Sequence, residues 1–187
     1  MTDEDHKEFQ DNQRRFYAMV GHCVLMYQAV EDFLEDVFSN ILGGPRNRAT
    51  AIYNSVFGIE SKIRIIQAAA TNRSGLPWDE LPLLLKRVKA ASEVRAKIAH
   101  ARPVQNGGKL AIKFRMENGL PVEAIETTQI TEPCWELHKD GKETVIFTVE
   151  NLREEYDRFD AIFSDLIDFL KTAADTDQSS EPAGFIS

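Results

Sequence analysis

The sequence has few cysteines and lacks the short motifs that mark metal or phosphate sites. Its 187 residues contain two cysteines, Cys23 and Cys134, whose spacing fits no metal site. There is no Gly-rich phosphate loop, HExxH, Cys-x-x-Cys or Gly-x-Ser-x-Gly motif. We therefore expect two reduced thiols, no metal ion and no cofactor, so that any catalysis would be metal-independent.

Long apolar runs are also missing. No uninterrupted apolar segment approaches the ~18 residues that a membrane-spanning helix needs, and the first seven residues lack the basic and apolar regions of a signal peptide. These absences predict a cytoplasmic protein with no membrane partner. With 43% hydrophobic residues, the chain is long enough to form one globular domain with a sizeable core.

Positive charge is scarce overall but concentrated in one segment. The formal net charge is -8, which argues against a general nucleic-acid binder. Residues 44–102, however, carry 11 basic and four acidic side chains, a net charge of +7. This segment can attract a phosphate backbone, or it can pack against acidic neighbours.

The first long pattern is a heptad of apolar residues, Phe16, Val20, Cys23, Tyr27, Val30, Leu34, Val37 and Ile41. Their alternating spacing of four and three predicts one long helix over about residues 8–42, packed against another helix. Gly43-Gly44 end this helix, and Pro45 can open the next one at its first turn.

Two more helices complete a predicted bundle. One carries Ile59, Ile63, Ile66 and Ala70, and the other runs from Asp79 as N-cap to about Ala101.

The residues after this helix follow a different pattern. Residues 108–149 alternate apolar and polar side chains around an Asn118-Gly119 turn and a second turn at 139–142, which predicts two hairpins in a small antiparallel sheet.

A last helix follows this insertion. Asn151 is the predicted N-cap, and the predicted buried stripe is Leu152, Tyr156, Phe159, Phe163, Leu166 and Leu170. The fold class is therefore mainly α, an antiparallel helical bundle with a small hairpin sheet inserted before the last helix. Residues 1–173 form the single predicted domain, and the polar residues 174–187 form a tail that we expect to be disordered.

Arg95 occupies an unusual position on the fourth helix. The apolar stripe of this helix is Leu81, Leu84, Val88, Ala91, Ile98 and Ala99, and Arg95 projects from its middle. A buried guanidinium needs a carboxylate such as Glu31 or Glu35, a subunit interface, or a bound anion. His100 lies about 140° around the same helix from Arg95, just before the helix end that Pro103 favours.

Arg95, four intervening residues and His100 resemble the R-x(4–6)-H motif of HEPN domains. The resemblance extends over residues 12–103, with an acidic stretch at 27–34, and over the last helix. It implies a HEPN-like bundle and a homodimer in which the motifs of two subunits form one cleft. It also implies a metal-independent endoribonuclease that uses the ribose 2′-hydroxyl as nucleophile, in a toxin–antitoxin or phage-defence setting.

On this resemblance Arg95 and His100 are the catalytic residues. The guanidinium would stabilise the charged phosphate and the imidazole would move protons. Lys97 and Arg102 would guide the RNA backbone, although both also fit an ordinary solvated face.

One residue departs from the pattern of active HEPN proteins, which usually have a polar side chain after the motif arginine. Here that residue is Ala96. Two other interpretations therefore stay open. One is a non-catalytic HEPN-like dimer that binds RNA, a nucleotide or a protein partner such as an antitoxin. The other is a purely structural role, in which the heptad mediates dimerisation and Arg95 pairs with Glu31.

Overall fold

The protein is mainly helical, as the apolar periodicity predicts. The computed structural model describes the backbone of residues 3–99, 110–117, 120–129, 135–139 and 143–179, and side chains over 10–99 and 147–176. The helices within these ranges are α1 (Asp3–Leu42), α2 (Arg46–Asn54), α3 (Ile59–Ala69), α4 (Leu81–Ala99) and α5 (Val149–Ser179). In this part of the chain we find no helical stretch with the length and hydropathy of a membrane span.

Helix α1 carries the heptad on its buried side. Seven of the heptad residues are at most 4% exposed, namely Phe16, Cys23, Tyr27, Val30, Leu34, Val37 and Ile41, whereas Val20 is half-buried. The helix ends at Leu42 as predicted and begins earlier than predicted, at Asp3. Gly43 follows with φ 55°, a left-handed conformation that glycine adopts without a steric penalty, so it can turn the chain after the helix.

The chain divides into two compact units, with boundaries inside α1, α4 and α5. The first unit comprises residues 1–24 and 96–155, and the second comprises 25–95 and 156–187. In the first unit the buried Cys23 thiol donates a 3.1 Å hydrogen bond to the Leu152 carbonyl. Cys134 lies outside the described residues.

Four strands belong to the first unit. Strand β1 (Leu110–Glu117) pairs antiparallel with β2 (Leu120–Gln129), and β3 (Trp135–Lys139) pairs antiparallel with β4 (Glu143–Phe147). The two pairs are separate two-stranded sheets. The predicted turn at 118–119 lies outside the described residues, as do residues 140–142 of the predicted turn at 139–142, whereas Lys139 ends β3. One inserted sheet stays a prediction.

Aromatic rings form much of the core of the second unit. Edge-to-face ring pairs have centroid separations of 5.6 Å for Tyr27–Phe159, 5.3 Å for Phe33–Phe163 and 5.3 Å for Trp78–Phe169. Phe159 is fully buried. Burial of one such side chain contributes about 1.5–3 kcal/mol to the free energy of unfolding.

The starts of α4 and α5 differ from the predicted ones. The Glu80 carbonyl accepts the first hydrogen bond of α4, from the Leu84 amide at 3.2 Å, so Glu80 and not Asp79 holds the N-cap position. At α5 the cap is Thr148. Its Oγ1 accepts from the Asn151 amide at 3.1 Å, while Asn151 Oδ1 accepts from the Thr148 amide at 3.2 Å. This reciprocal pair is a capping box, with Asn151 as its third helical residue.

The buried face of α5 is also rotated relative to the predicted stripe. Its buried residues are Leu152, Phe159, Ile162, Leu166, Phe169 and Ala173, whereas Tyr156, Phe163 and Leu170 are half-buried. The helix continues past Ala173 to Ser179, and residues 180–187 of the predicted tail lie outside the described residues.

Candidate functional site

Arg95 lies on the core-facing side of α4, where the sequence predicts it. Val88 and Ala91 precede it on the same face and are at most 1% exposed. The Arg95 side chain is half-buried, and its Nε is closed off from solvent with no hydrogen-bond partner. A buried donor without an acceptor costs about 1–3 kcal/mol, so the position carries a penalty that packing alone does not explain.

The two carboxylates expected to neutralise Arg95 do not do so. The Glu35 carboxylate accepts a 2.6 Å hydrogen bond from Thr50 Oγ1. The Glu31 backbone carbonyl accepts from the Tyr53 hydroxyl at 3.2 Å. Among the residues whose side chains are described, neither carboxylate forms an ion pair with Arg95. The structural interpretation, in which Arg95 is locked to Glu31, therefore lacks its defining contact in this part of the chain.

Tyr27 of α1 also has a polar atom that is closed off from solvent. The residue is 2% exposed, and its hydroxyl is buried. Burial raises the pKa of Tyr27 well above its ordinary value, and the Glu31 carboxylate raises it further. The Ser92 hydroxyl and the Arg95 guanidinium lower it by less. The phenol is therefore protonated at neutral pH.

Tyr27 and Glu31 of α1 and Ser92 and Arg95 of α4 thus form one group, which we call the polar cluster. All four belong to the second compact unit. The Ser92 hydroxyl donates to the Lys89 carbonyl at 2.8 Å, and its oxygen keeps lone pairs that can accept from the Tyr27 phenol. Within the polar cluster, the Arg95 Nε–H is a buried donor without an acceptor.

The remaining predicted site residues are placed only in part. Lys97 lies in the last turn of α4 and is exposed, and Ala96 is also exposed. His100 and Arg102 lie outside the described residues. Of the four predicted site residues, the described part of the chain therefore places Arg95 and Lys97.

The grooves formed by described residues of the second unit are lined by side chains outside the polar cluster. One, of about 490 Å³, lies between α4 and α5 and contains the exposed Leu83. Another, of about 290 Å³, lies between α3 and α4 and is lined by Lys86 and Lys89. Within the described ranges, no three His, Cys, Asp or Glu side chains come together as a metal-binding group.

Sequence reasoning missed Tyr27 and Ser92 as members of this cluster. Periodicity assigns Tyr27 to the heptad as an apolar residue, which is right for its ring. The signal in the sequence was the Tyr27 hydroxyl. A buried tyrosine hydroxyl usually has a hydrogen-bond partner, whereas an aliphatic residue would have filled the heptad position without needing one.

Comparison with known proteins adds no family assignment. No protein-family model matches the chain, and no curated protein or solved structure is significantly similar to it.

Proposed function

We propose that this chain is a metal-independent endoribonuclease of the HEPN type that acts as a homodimer. The proposal includes a HEPN-like antiparallel bundle with the hairpin sheet inserted before the last helix. The observation that carries it is the Arg95 guanidinium, whose buried Nε has no acceptor among the groups around it. A fixed cation left without a partner in a core-facing position supports a role in binding an anion.

The proposed reaction is an attack by the ribose 2′-hydroxyl on the adjacent phosphorus. The 2′ oxygen bonds to phosphorus and the bond to the 5′ oxygen breaks, leaving a 2′,3′-cyclic phosphate and a 5′-hydroxyl. His100 takes the proton from the 2′-hydroxyl and then gives it to the leaving 5′ oxygen, because its ordinary pKa is near neutrality. Arg95 stabilises the negative charge on the phosphoryl oxygens with its planar fork of donors.

The geometry of α4 makes the homodimer part of this proposal. Arg95 and His100 are five residues apart, so on a regular helix they point about 140° away from each other. Two subunits related by a two-fold axis would supply Arg95 from one copy and His100 from the other. Closed two-fold dimers are the commonest assemblies of soluble proteins, and this arrangement needs no distortion of the helix.

We assign Lys97 and Arg102 to contacts with the RNA backbone. Lys97 is accessible in the last turn of α4 and has the charge for a phosphate contact. Such contacts fix the position of RNA without reading its sequence. They account for the +7 charge of residues 44–102 within an acidic protein.

A second function is favoured by Ala96. Its exposed methyl group cannot hydrogen-bond a phosphate or orient His100. The same dimer would then bind RNA, a nucleotide or a protein partner such as an antitoxin without cleaving RNA.

The test is incubation of purified protein with total RNA in excess chelator. We expect wild type to produce 2′,3′-cyclic phosphate ends and His100→Ala to produce none while keeping its circular dichroism spectrum. His22→Ala, which removes an exposed histidine of α1, is the matched control and should cleave like wild type. Full cleavage by His100→Ala would refute the catalytic assignment. RNA binding without cleavage by wild type would establish the second function.

A further inference from the structure

A pocket of about 380 Å³ lies in the second unit, where the end of α3, the following loop and the start of α4 meet. We call it the loop pocket. Its lining includes the buried Trp78 and Leu81, and its polar residues include Gln67, Arg73 and Asp79. Apolar walls with a few polar groups, in a volume of this size, are typical of sites for small ligands or parts of ligands.

The Arg73 guanidinium lies over the Trp78 ring at this pocket. Its Cζ is 5.0 Å from the ring centroid, which is a cation–π contact. The indole is itself held by the core, because Phe169 of α5 packs against it edge-to-face with centroids 5.3 Å apart. Trp78 is 6% exposed, whereas Arg73 is half-buried. The accessible flat group of the loop pocket is therefore the guanidinium, supported from behind by a buried ring.

Backbone hydrogen bonds hold the loop that carries these residues. The Arg73 amide donates to the Ala70 carbonyl at 2.9 Å, and the Asp79 amide donates to the Gly75 carbonyl at 3.1 Å. Gly75 has φ 81°, a left-handed conformation that glycine adopts without a steric penalty. The loop pocket is thus formed before any ligand arrives, and a ligand would not have to order it.

We propose that the loop pocket binds an unpaired nucleobase of a single-stranded RNA, stacked on the Arg73 guanidinium. This inference rests on the proposed function, since it takes RNA as the ligand, and it adds a second region of contact with the strand. Proteins that recognise single-stranded RNA stack its bases on guanidinium planes as well as on aromatic rings. Leu81 and Arg95 are about 21 Å apart along the α4 axis, so a strand that reaches both spans several nucleotides.

The charges of the loop pocket favour a base over a phosphate. Asp79 lines the same pocket as Arg73. A carboxylate repels a phosphate, but it accepts hydrogen bonds from the N–H groups at the edge of a base. The surrounding residues 44–102 carry a net charge of +7, which favours a polyanionic strand as the source of the flat group over an aromatic side chain of a protein partner.

The experiment measures binding of a fluorescent single-stranded RNA of about 12 nucleotides by anisotropy. Arg73→Lys keeps the positive charge over Trp78 but removes the planar group on which a base can stack. We expect this variant to bind the RNA about tenfold more weakly, which is within the range for one lost base stack.

Arg64→Lys is the matched control. It makes the same chemical change on α3, at an exposed side chain that lines the neighbouring groove, where Glu60 lies 3.9 Å away. This variant should bind the RNA like wild type. An equal loss of affinity in both variants would show a general requirement for arginine charge geometry on this face, and it would overturn the inference.

Inorganic polyphosphate is the second probe, because it carries the charge of a strand without its bases. Wild type and Arg73→Lys should bind it equally. Equal losses of RNA and polyphosphate affinity in Arg73→Lys would mean that Arg73 contacts phosphate, which contradicts base stacking. Unchanged RNA affinity in Arg73→Lys would also overturn the inference. A mononucleotide that binds wild type as tightly as the strand does, and is lost in Arg73→Lys, would identify a free nucleotide as the ligand and refute the RNA strand.

A cleavage assay with the same RNA separates this inference from the proposed function. Cleavage by wild type, together with unchanged RNA affinity in Arg73→Lys, would refute the base site and leave the ribonuclease standing. RNA binding that depends on Arg73 without cleavage by wild type would refute the ribonuclease and support the base site. Absence of RNA binding by wild type would refute both.

Discussion

The Thr50 hydroxyl donates a 2.6 Å hydrogen bond to the Glu35 carboxylate, and this contact ties α2 to α1. It also engages one of the two carboxylates that a buried Arg95 would be expected to use. Since Glu31 does not pair with Arg95 among the described residues either, the guanidinium keeps its capacity for an anion from outside the chain.

The first prediction concerns assembly. Because Arg95 projects from the core-facing stripe of α4, two such helices meeting at a two-fold axis would place it in a shared cleft. Light scattering at micromolar concentration should therefore give twice the 21.2 kDa mass of the chain. A monomer mass under these conditions would count against the composite site.

The second prediction concerns the RNA backbone. Lys97→Ala should weaken binding to single-stranded RNA similarly for all sequences and should lower the slope of log affinity against log salt by about 0.7. Lys86→Ala is the control, because it removes an equally exposed lysine from the same helix. Fluorescence anisotropy at several salt concentrations measures both variants. Equal slopes for the two variants would remove Lys97 from the interface.

The helices of this protein follow from apolar spacing, because a repeat of four and three residues leaves little choice of buried face. The heptad of α1 is the clearest case, from Phe16 to Ile41. On α5 the same reasoning selects Phe163, whereas the structure buries Ile162. Neighbouring apolar residues compete for the face of a helix with 3.6 residues per turn, and only the packing partner decides between them.

The helix caps and the candidate site are harder to predict from a single sequence than the helices are. Asn151 fits a cap before Leu152, yet the earlier Thr148 pairs with it and sets the helix start. Arg95 is visible from the sequence because a charge interrupts an apolar stripe. Tyr27 is not visible in this way, because its ring fits the heptad. Its hydroxyl becomes notable only in the folded chain, where Arg95, which is distant in the sequence, interacts with it.

The third prediction tests the capping box of α5. Thr148→Ala removes the acceptor of the Asn151 amide and should lower the free energy of unfolding by about 1 kcal/mol. Thr148→Ser keeps the hydroxyl and should stay close to wild type. Urea unfolding followed by circular dichroism compares the two variants. Equal losses in both would mean that the threonine methyl group, and not the cap, stabilises the helix.

The last prediction concerns the hydroxyl of Tyr53. It donates to the Glu31 carbonyl at 3.2 Å, so Tyr53→Phe should cost about 1 kcal/mol at neutral pH. Burial, followed by the Glu31 and Glu35 carboxylates, raises the pKa of Tyr53 above its ordinary value. The folded state therefore keeps this proton at a pH where the unfolded state loses it.

The sign of the pH dependence follows directly from that difference. The stabilisation from protonated Tyr53 is complete below about pH 10, the ordinary pKa of tyrosine, and is lost as the pH rises through the folded-state pKa. Wild type should therefore lose more stability than Tyr53→Phe between pH 8 and about pH 10.5, so the gap between their urea midpoints narrows as the solution becomes alkaline. A gap that stays constant or widens would show that the Tyr53 phenol ionises at least as readily in the folded chain as in the unfolded one.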